Sequence, residues 1–147
     1  MTRIEKKFKQ LKLANKKAFI VFLTCGYPNI HITERLILKL NQIGTDVIEL
    51  GIPFSDPLAD GPTIQEASEV ALKNKINLNH VLGLVKKIRQ KVTTPICIMT
   101  YYNPIFCFGE DRFIRKAKES GVDGIIVPDL PPEEAKSLLK LSKKFNL

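Results

Sequence analysis

The chain has 147 residues, of which 44% are hydrophobic, and 23 Lys and Arg against 15 Asp and Glu give it a formal net charge of +8. This length and hydrophobic fraction allow a buried core and exclude general disorder. The bases fall in separate stretches without interleaved aromatic residues, which argues against a nucleic-acid-binding surface. No segment has the roughly 20 apolar residues that cross a bilayer, and the first residues lack a signal-peptide core.

The cysteines and histidines predict neither a disulfide framework nor a metal site. Cys25, Cys97 and Cys107 lie in apolar runs without metal-type spacing, which predicts small buried residues in a reducing compartment. His31 and His80 are isolated, each near the start of a predicted helix, so we expect ordinary structural roles. Because neither a signal peptide nor a spanning segment is predicted, we expect a cytoplasmic protein. The excess of lysine over arginine suggests an AT-rich genome, which makes a plastid stroma the alternative location.

The first third of the chain predicts a helix, a strand and a second helix. Apolar residues recur at helical spacing over residues 2–13, which predicts a short amphipathic helix suited to capping the floor of a barrel. Residues 18–24 are an uninterrupted apolar run, which is typical of a fully buried parallel strand. A second helical pattern runs from Ile32 to Ile43 and stops at Gly44, a residue suited to a helix C-terminus.

Three further strands and two further helices follow. Residues 45–51 and 122–127 are apolar strands with the same Gly-x-Asp entry, which indicates a repeated helix-to-strand joint. Residues 95–102 predict another strand, and apolar residues between 81 and 88 predict the helix before it. A last helix is predicted from Pro132 onward.

Strict alternation of apolar strands with helices predicts a parallel α/β fold with right-handed crossovers. A Rossmann-like sheet is the rival, but no Gly-x-Gly-x-x-Gly or P-loop opens any helix. We therefore predict a TIM (β/α)8 barrel, which takes about 250 residues. Residues 1–147 are then the N-terminal part of a single truncated domain with about the first four βα units, and its exposed strand edges argue against stable folding alone.

Glu49 is the first candidate catalytic residue. It lies near the end of the second strand, on the strand face where a barrel interior normally carries aliphatic side chains. Burying a carboxylate there is costly unless it is used or paired, and desolvation helps a carboxylate to donate and accept protons near neutral pH. A general acid/base and a salt bridge to Lys or Arg of a neighbouring strand remain equal alternatives.

The loop after this strand holds two more carboxylates, Asp56 and Asp60. Asp60 precedes Gly61, and Asp-Gly is ordinary turn chemistry, so spacing alone favours a turn residue. Thr63 and Glu66 have the spacing of a capping box for the next helix.

The stretch from Glu49 to Gln65 closely resembles the signature of tryptophan synthase alpha chains. Residues 19–28, 101–104 and 121–131 are similar to the same family, so the resemblance covers essentially the whole chain. It implies a retro-aldol lyase that cleaves indole-3-glycerol phosphate to indole and glyceraldehyde 3-phosphate, without a metal or a cofactor in this chain.

The resemblance also implies roles for individual residues. Glu49 would protonate indole C3, while Asp60 would accept a hydrogen bond from the indole N–H and stabilise the developing positive charge. Matching positions imply that four residues contact the indole or lie near it, with ordinary core packing as the alternative. These are Phe22, Thr100, Tyr102 and Val127.

The loop with Pro53, Asp56 and Pro57 is similar to one that closes over the site and contacts a beta subunit in this family. The resemblance therefore implies an alpha2beta2 tetramer whose pyridoxal phosphate belongs to the beta subunit. A stand-alone indole-releasing lyase and a non-catalytic activating subunit remain alternatives. The family's phosphate-binding loops would lie beyond Leu147, so we expect residues 1–147 alone to be inactive.

Overall fold

The computed structural model describes all residues 1–147 as seven helices and four strands. The strands are β1 (Ile20–Thr24), β2 (Val47–Gly51), β3 (Ile96–Met99) and β4 (Gly124–Ile126). The helices are α1 (Arg3–Leu13), α2 (Ile30–Gln42), α3 (Pro62–Lys73), α4 (Leu78–Ile88), α5 (Tyr102–Phe108), α6 (Glu110–Ser120) and α7 (Lys136–Phe145). None of the helices combines the length and apolarity that crossing a membrane requires.

The four strands form one parallel sheet in the order β1-β2-β3-β4. Each strand lies beside its predecessor in the chain, so every crossover advances in the same direction. A doubly wound sheet reverses direction at a switch point, whereas a singly wound sheet is the arrangement of a barrel. The order therefore supports the predicted barrel over its Rossmann-like rival.

One face of the sheet, here called the outer face, packs on the helices. Ile48, Leu50, Ile96 and Ile98 are fully buried there, in a cluster with apolar side chains of α4 and α6. Side chains alternate along each strand, so the opposite, inner face carries the intervening residues. These are Ile20, Phe22, Thr24, Val47, Glu49, Gly51, Cys97, Met99, Gly124 and Ile126.

The Gly-x-Asp pattern forms the same joint twice. Asp46 accepts the Phe19 N–H at 2.8 Å and donates its own N–H to the Phe19 carbonyl at 3.0 Å. Asp123 accepts the Ile96 N–H at 2.9 Å and donates to the Ile96 carbonyl at 2.9 Å. Each aspartate thus fixes its own strand to the start of the preceding strand in the sheet, which confirms the predicted repeated joint.

Helix α1 is attached to both joints. Lys7 pairs with Asp46 at 3.3 Å, and Arg3 pairs with Asp123 at 2.9 Å. Next to the inner face, Ile4 Cδ1 lies 3.0 Å from the position that a Cβ on Gly124 would take. The helix therefore covers the end of the sheet where the strands begin, as predicted for a barrel floor.

Three predictions about the strands need correction. The strand predicted over residues 18–24 is not fully buried, because β1 is an edge of this sheet and Phe19 and Ile20 are 59% and 44% exposed. The strand predicted over residues 95–102 ends at Met99, because helix α5 begins at Tyr102. Alternation is also less strict than predicted, since two helices separate β2 from β3 and two separate β3 from β4.

Three local predictions are also wrong. The capping box of Thr63 and Glu66 does not form, because Gly61 is the N-cap of α3 and Pro62 supplies its first turn. The last helix begins at Lys136 rather than near Pro132. Cys107 is exposed, whereas Cys25 and Cys97 are buried as predicted.

Candidate active site

Glu49 lies in a row of side chains across the inner face. The strand register pairs Phe22 with Glu49 and Glu49 with Cys97, and Cα partners in a parallel sheet present side chains to the same face. Burial, and after it the negative charge of Glu49, raises the pKa of the Cys97 thiol to about 11. The register thus places the carboxylate beside the thiol on the inner face.

The Glu49 carboxylate forms no hydrogen bond or salt bridge with the 147 residues. The predicted alternative, an ion pair with Lys or Arg of a neighbouring strand, is therefore not found in this sheet. Its neighbours in the row are an aromatic ring, Phe22, and the neutral thiol of Cys97. A half-buried carboxylate in such surroundings is available for proton transfer.

Asp60 lines a cavity at the ends of the strands. Phe22 and Met99 of the inner face line the same cavity, together with Thr100 and Tyr101. Active sites of parallel α/β folds lie at this edge, beyond the carboxyl ends of the strands. Spacing alone favoured a turn residue, but the position of Asp60 in the cavity wall also makes its carboxylate a candidate for contact with a ligand.

Phe22 lies between the positions of the two carboxylates. It is the register partner of Glu49 and also lines the cavity of Asp60. Its ring lies over Gly51, where a Cβ would meet Phe22 Cζ at 2.6 Å. A side chain at position 51 would displace the ring, so the glycine makes room for an apolar wall between Glu49 and Asp60.

The structure places the other predicted contact residues differently. Thr100 lines the cavity, whereas Tyr102 and Val127 pack against the apolar cluster of the outer face. The Tyr102 hydroxyl donates to Glu110 Oε1 at 3.0 Å, away from Asp60. Tyr101, one position before Tyr102, lines the cavity, and Ile126, one position before Val127, is the register partner of Met99 on the inner face.

Tyr101 is the functional candidate that sequence reasoning missed. It is 3% exposed, and its hydroxyl accepts the Ala59 N–H at 3.0 Å. Burial raises the pKa of Tyr101, and the neighbouring Asp60 carboxylate raises it further. The available signal was the pair Tyr101-Tyr102 after a strand, but the pattern could not tell which ring faces inward.

The loop from Pro53 to Asp60 extends from the end of β2 over the cavity. Pro53 is buried and Pro57 is half-buried, while Asp56 is exposed and hydrogen-bonded to the Ser55 hydroxyl. Leu58 is 83% exposed. The loop thus combines an anchored beginning with an outward surface that carries one carboxylate and one large apolar side chain.

The chemistry available here is proton transfer and charge stabilisation. The inner face and the cavity supply two carboxylates, a phenol and apolar walls. No group of three or more His, Cys, Asp or Glu side chains is arranged to hold a metal ion.

Comparison with known proteins identifies relatives along the whole chain. The family model described as tryptophan synthase alpha chain matches residues 8–147. The chain is 47% identical over 147 residues to the tryptophan synthase alpha chain of Caldanaerobacter subterraneus subsp. tengcongensis, and 49% identical over 148 residues to that of Aquifex aeolicus. All of this chain is covered in both matches, but it spans only 56% of the length of each relative.

Solved structures agree with these relatives. Tryptophan synthase subunit alpha from Legionella pneumophila superimposes with a TM-score of 0.97 at 44% identity, and 100% of this chain covers 56% of that chain. A structure of tryptophan synthase from M. tuberculosis in an open form with BRD0059 bound gives a TM-score of 0.95 at 35% identity, with coverages of 100% and 59%.

Proposed function

Since the chain belongs to the tryptophan synthase alpha chain family, we propose that its complete protein is the alpha subunit that cleaves indole-3-glycerol phosphate to indole and glyceraldehyde 3-phosphate. Its four βα units are the first four of a TIM barrel, and residues 1–147 are proposed to be the N-terminal part of that single domain. The observation that carries the proposal is Glu49, a half-buried carboxylate without a protein partner on the inner face. The reaction is that of a lyase, assigned to the carbon-oxygen lyases when the whole synthase is considered.

Glu49 is proposed to deliver a proton to indole C3. Protonation at C3 places positive charge on the ring, weakens the bond to the glycerol side chain and leaves Glu49 ionised. The bond breaks as the ionised Glu49 accepts the hydroxyl proton of that chain, which forms the aldehyde and restores the protonated carboxyl group. Asp60 is proposed to accept a hydrogen bond from the indole N–H and to stabilise this positive charge. The apolar wall of Phe22 between the two carboxylates suits a flat aromatic ring.

The positions of Tyr101 and Ile126 also revise the proposed indole contacts. Phe22 and Thr100 keep their proposed place because they line the cavity. Tyr101 replaces Tyr102, and Ile126 replaces Val127, because the later residue of each pair packs against the outer cluster. A direct comparison of Tyr101→Phe with Tyr102→Phe tests this change, and we expect the larger loss of turnover in Tyr101→Phe.

A beta subunit is the proposed partner, in an alpha2beta2 tetramer with pyridoxal phosphate bound by the beta subunit alone. The exposed Asp56 and the half-buried Pro57 are the proposed contacts, whereas Pro53 is buried and is proposed to anchor the loop that presents them. No cofactor is proposed for this chain. The relatives named above are bacterial, so a cytoplasmic location is proposed and a plastid stroma gains no support from them.

The proposal is tested by measuring indole release from indole-3-glycerol phosphate by the complete protein, with and without beta subunit. We expect Glu49→Gln and Asp60→Asn each to lose at least about 100-fold in kcat, the range seen when one general acid/base or one stabilising group is removed. The exposed Glu69→Gln is the matched control for loss of a carboxylate. Near-normal turnover in folded Glu49→Gln would return that residue to a structural role.

A further inference from the structure

The loop from Pro53 to Asp60 is held at both ends by a single side chain. Near its beginning, the Phe54 ring stacks on Tyr101, with ring centroids 5.2 Å apart and an interplanar angle of 31°. Near its end, the Ala59 N–H donates to the Tyr101 hydroxyl at 3.0 Å. The loop is otherwise weakly attached, since four of its eight residues are exposed.

Tyr101 is itself firmly held by the sheet. It follows β3, where the Ile52 N–H donates to the Met99 carbonyl at 2.9 Å and the Thr100 N–H donates to the Ile126 carbonyl at 3.0 Å. After it, the Tyr102 N–H donates to Asp129 Oδ1 at 2.9 Å and fixes the start of α5. The phenol is therefore a rigid point to which the largely exposed loop can be attached.

The Tyr101 hydroxyl also keeps its proton. Burial, and to a lesser extent the nearby Asp60 carboxylate, raise the pKa of Tyr101. The oxygen already accepts the Ala59 N–H, so its proton is free for an acceptor on the other side. Asp60 lines the same cavity and is the neighbouring carboxylate that can accept it.

We propose that Tyr101 is a positioning residue for Asp60: its phenol fastens both ends of the loop from Pro53 to Asp60 and sets the orientation of the Asp60 carboxylate. This inference rests on the proposed role of Asp60 and extends it to the residue that aims it. Asp60 is followed by Gly61 and the start of α3, and Gln65 Nε2 binds its carbonyl oxygen at 2.9 Å. These contacts hold the backbone on the C-terminal side of Asp60. The hydrogen bond from the Ala59 N–H to the Tyr101 hydroxyl holds the backbone on its N-terminal side.

Tyr101→Phe in the complete protein tests the inference, because it keeps the ring that stacks on Phe54 and removes only the hydroxyl. Tyr27→Phe is the matched control, since the exposed Tyr27 hydroxyl has no hydrogen-bond partner in the structure. We expect faster amide hydrogen exchange at Ala59 in Tyr101→Phe alone. We also expect kcat to fall roughly 10- to 100-fold with little change in KM, as when a catalytic group is misplaced.

Two results would overturn the inference. One is a kcat of Tyr101→Phe within about twofold of wild type, and the other is a loss of kcat without faster exchange at Ala59. Asp60→Asn, measured in parallel, separates the two proposals. If Asp60→Asn is inactive and Tyr101→Phe is active, the positioning role fails and the proposed function stands; if Asp60→Asn is active, the proposed function itself fails.

Discussion

Asp123 is the most heavily used carboxylate in the structure. Its side chain, 4% exposed, accepts hydrogen bonds from Arg3, Arg89 and the Ile96 N–H. Arg89 is 11% exposed and also donates to the carbonyls of Val92 and Thr94. Burial lowers the pKa of Arg89 and the Asp123 charge opposes this, so the carboxylate offsets part of the cost of burying the charged guanidinium.

Removing this carboxylate should destabilise the protein strongly. We expect Asp123→Ala to lower the free energy of unfolding by about 3 to 5 kcal/mol, because it leaves a buried guanidinium without its counter-ion. Asp111→Ala is the control, since its pair with Arg115 is exposed on both sides and should contribute little to stability. Denaturant unfolding of both variants makes the comparison, and equal losses would show that the Asp123 network contributes no more than a surface pair.

At the scale of elements, the two Gly-x-Asp joints differ in one respect. Gly44 and Gly121 both adopt left-handed backbone conformations, with φ of +86° and +87°. A Cβ on Gly44 would meet nothing within 4 Å, whereas a Cβ on Gly121 would lie 2.8 Å from Arg89 Cγ. Both glycines therefore need a left-handed backbone, but Gly44 has open space beside it, whereas Gly121 lies close to Arg89.

The pair of glycines gives a matched test. Gly44→Ala should cost about 1 to 2 kcal/mol, the penalty for a left-handed residue with a Cβ. Gly121→Ala should cost at least about 1 kcal/mol more, because Arg89 must move and is held by Asp123. Thermal or denaturant unfolding measures both, and an equal effect would mean that Arg89 adjusts without loss.

Sequence pattern determined the type of most elements but not the phase of side chains where a strand ends. The alternation around Glu49 was readable because its strand is flanked by aliphatic residues on both sides. Residues 95–102 are apolar on both faces, so the sequence did not show that β3 stops at Met99 or that Tyr101 rather than Tyr102 faces the cavity. The wrong prediction of a capping box overlooks a signal in the sequence, because Pro62 after Gly61 indicates that the helix starts before Thr63.

At the scale of the whole molecule, residues 1–147 span 56% of the length of the Caldanaerobacter relative. The inner face supplies Glu49 and the cavity at the strand ends supplies Asp60, whereas the resemblance implies that the phosphate-binding loops would follow Leu147. We therefore expect a polypeptide of residues 1–147 to release no measurable indole, while the complete protein does. Indole release measured with equal amounts of both, and circular dichroism to compare their folding, tests this. Turnover by residues 1–147 would show that the phosphate contacts are dispensable.

The attachment of α1 to both joints sets an order of events during synthesis on the ribosome. Each joint closes over the same short distance, since Phe19 and Asp46 are 27 residues apart and so are Ile96 and Asp123. Arg3, in contrast, must wait for a partner 120 residues later in the chain. The first helix to leave the ribosome is therefore held by both ion pairs only after the start of β4 has emerged, and until then the Lys7–Asp46 pair is available to it without Asp123.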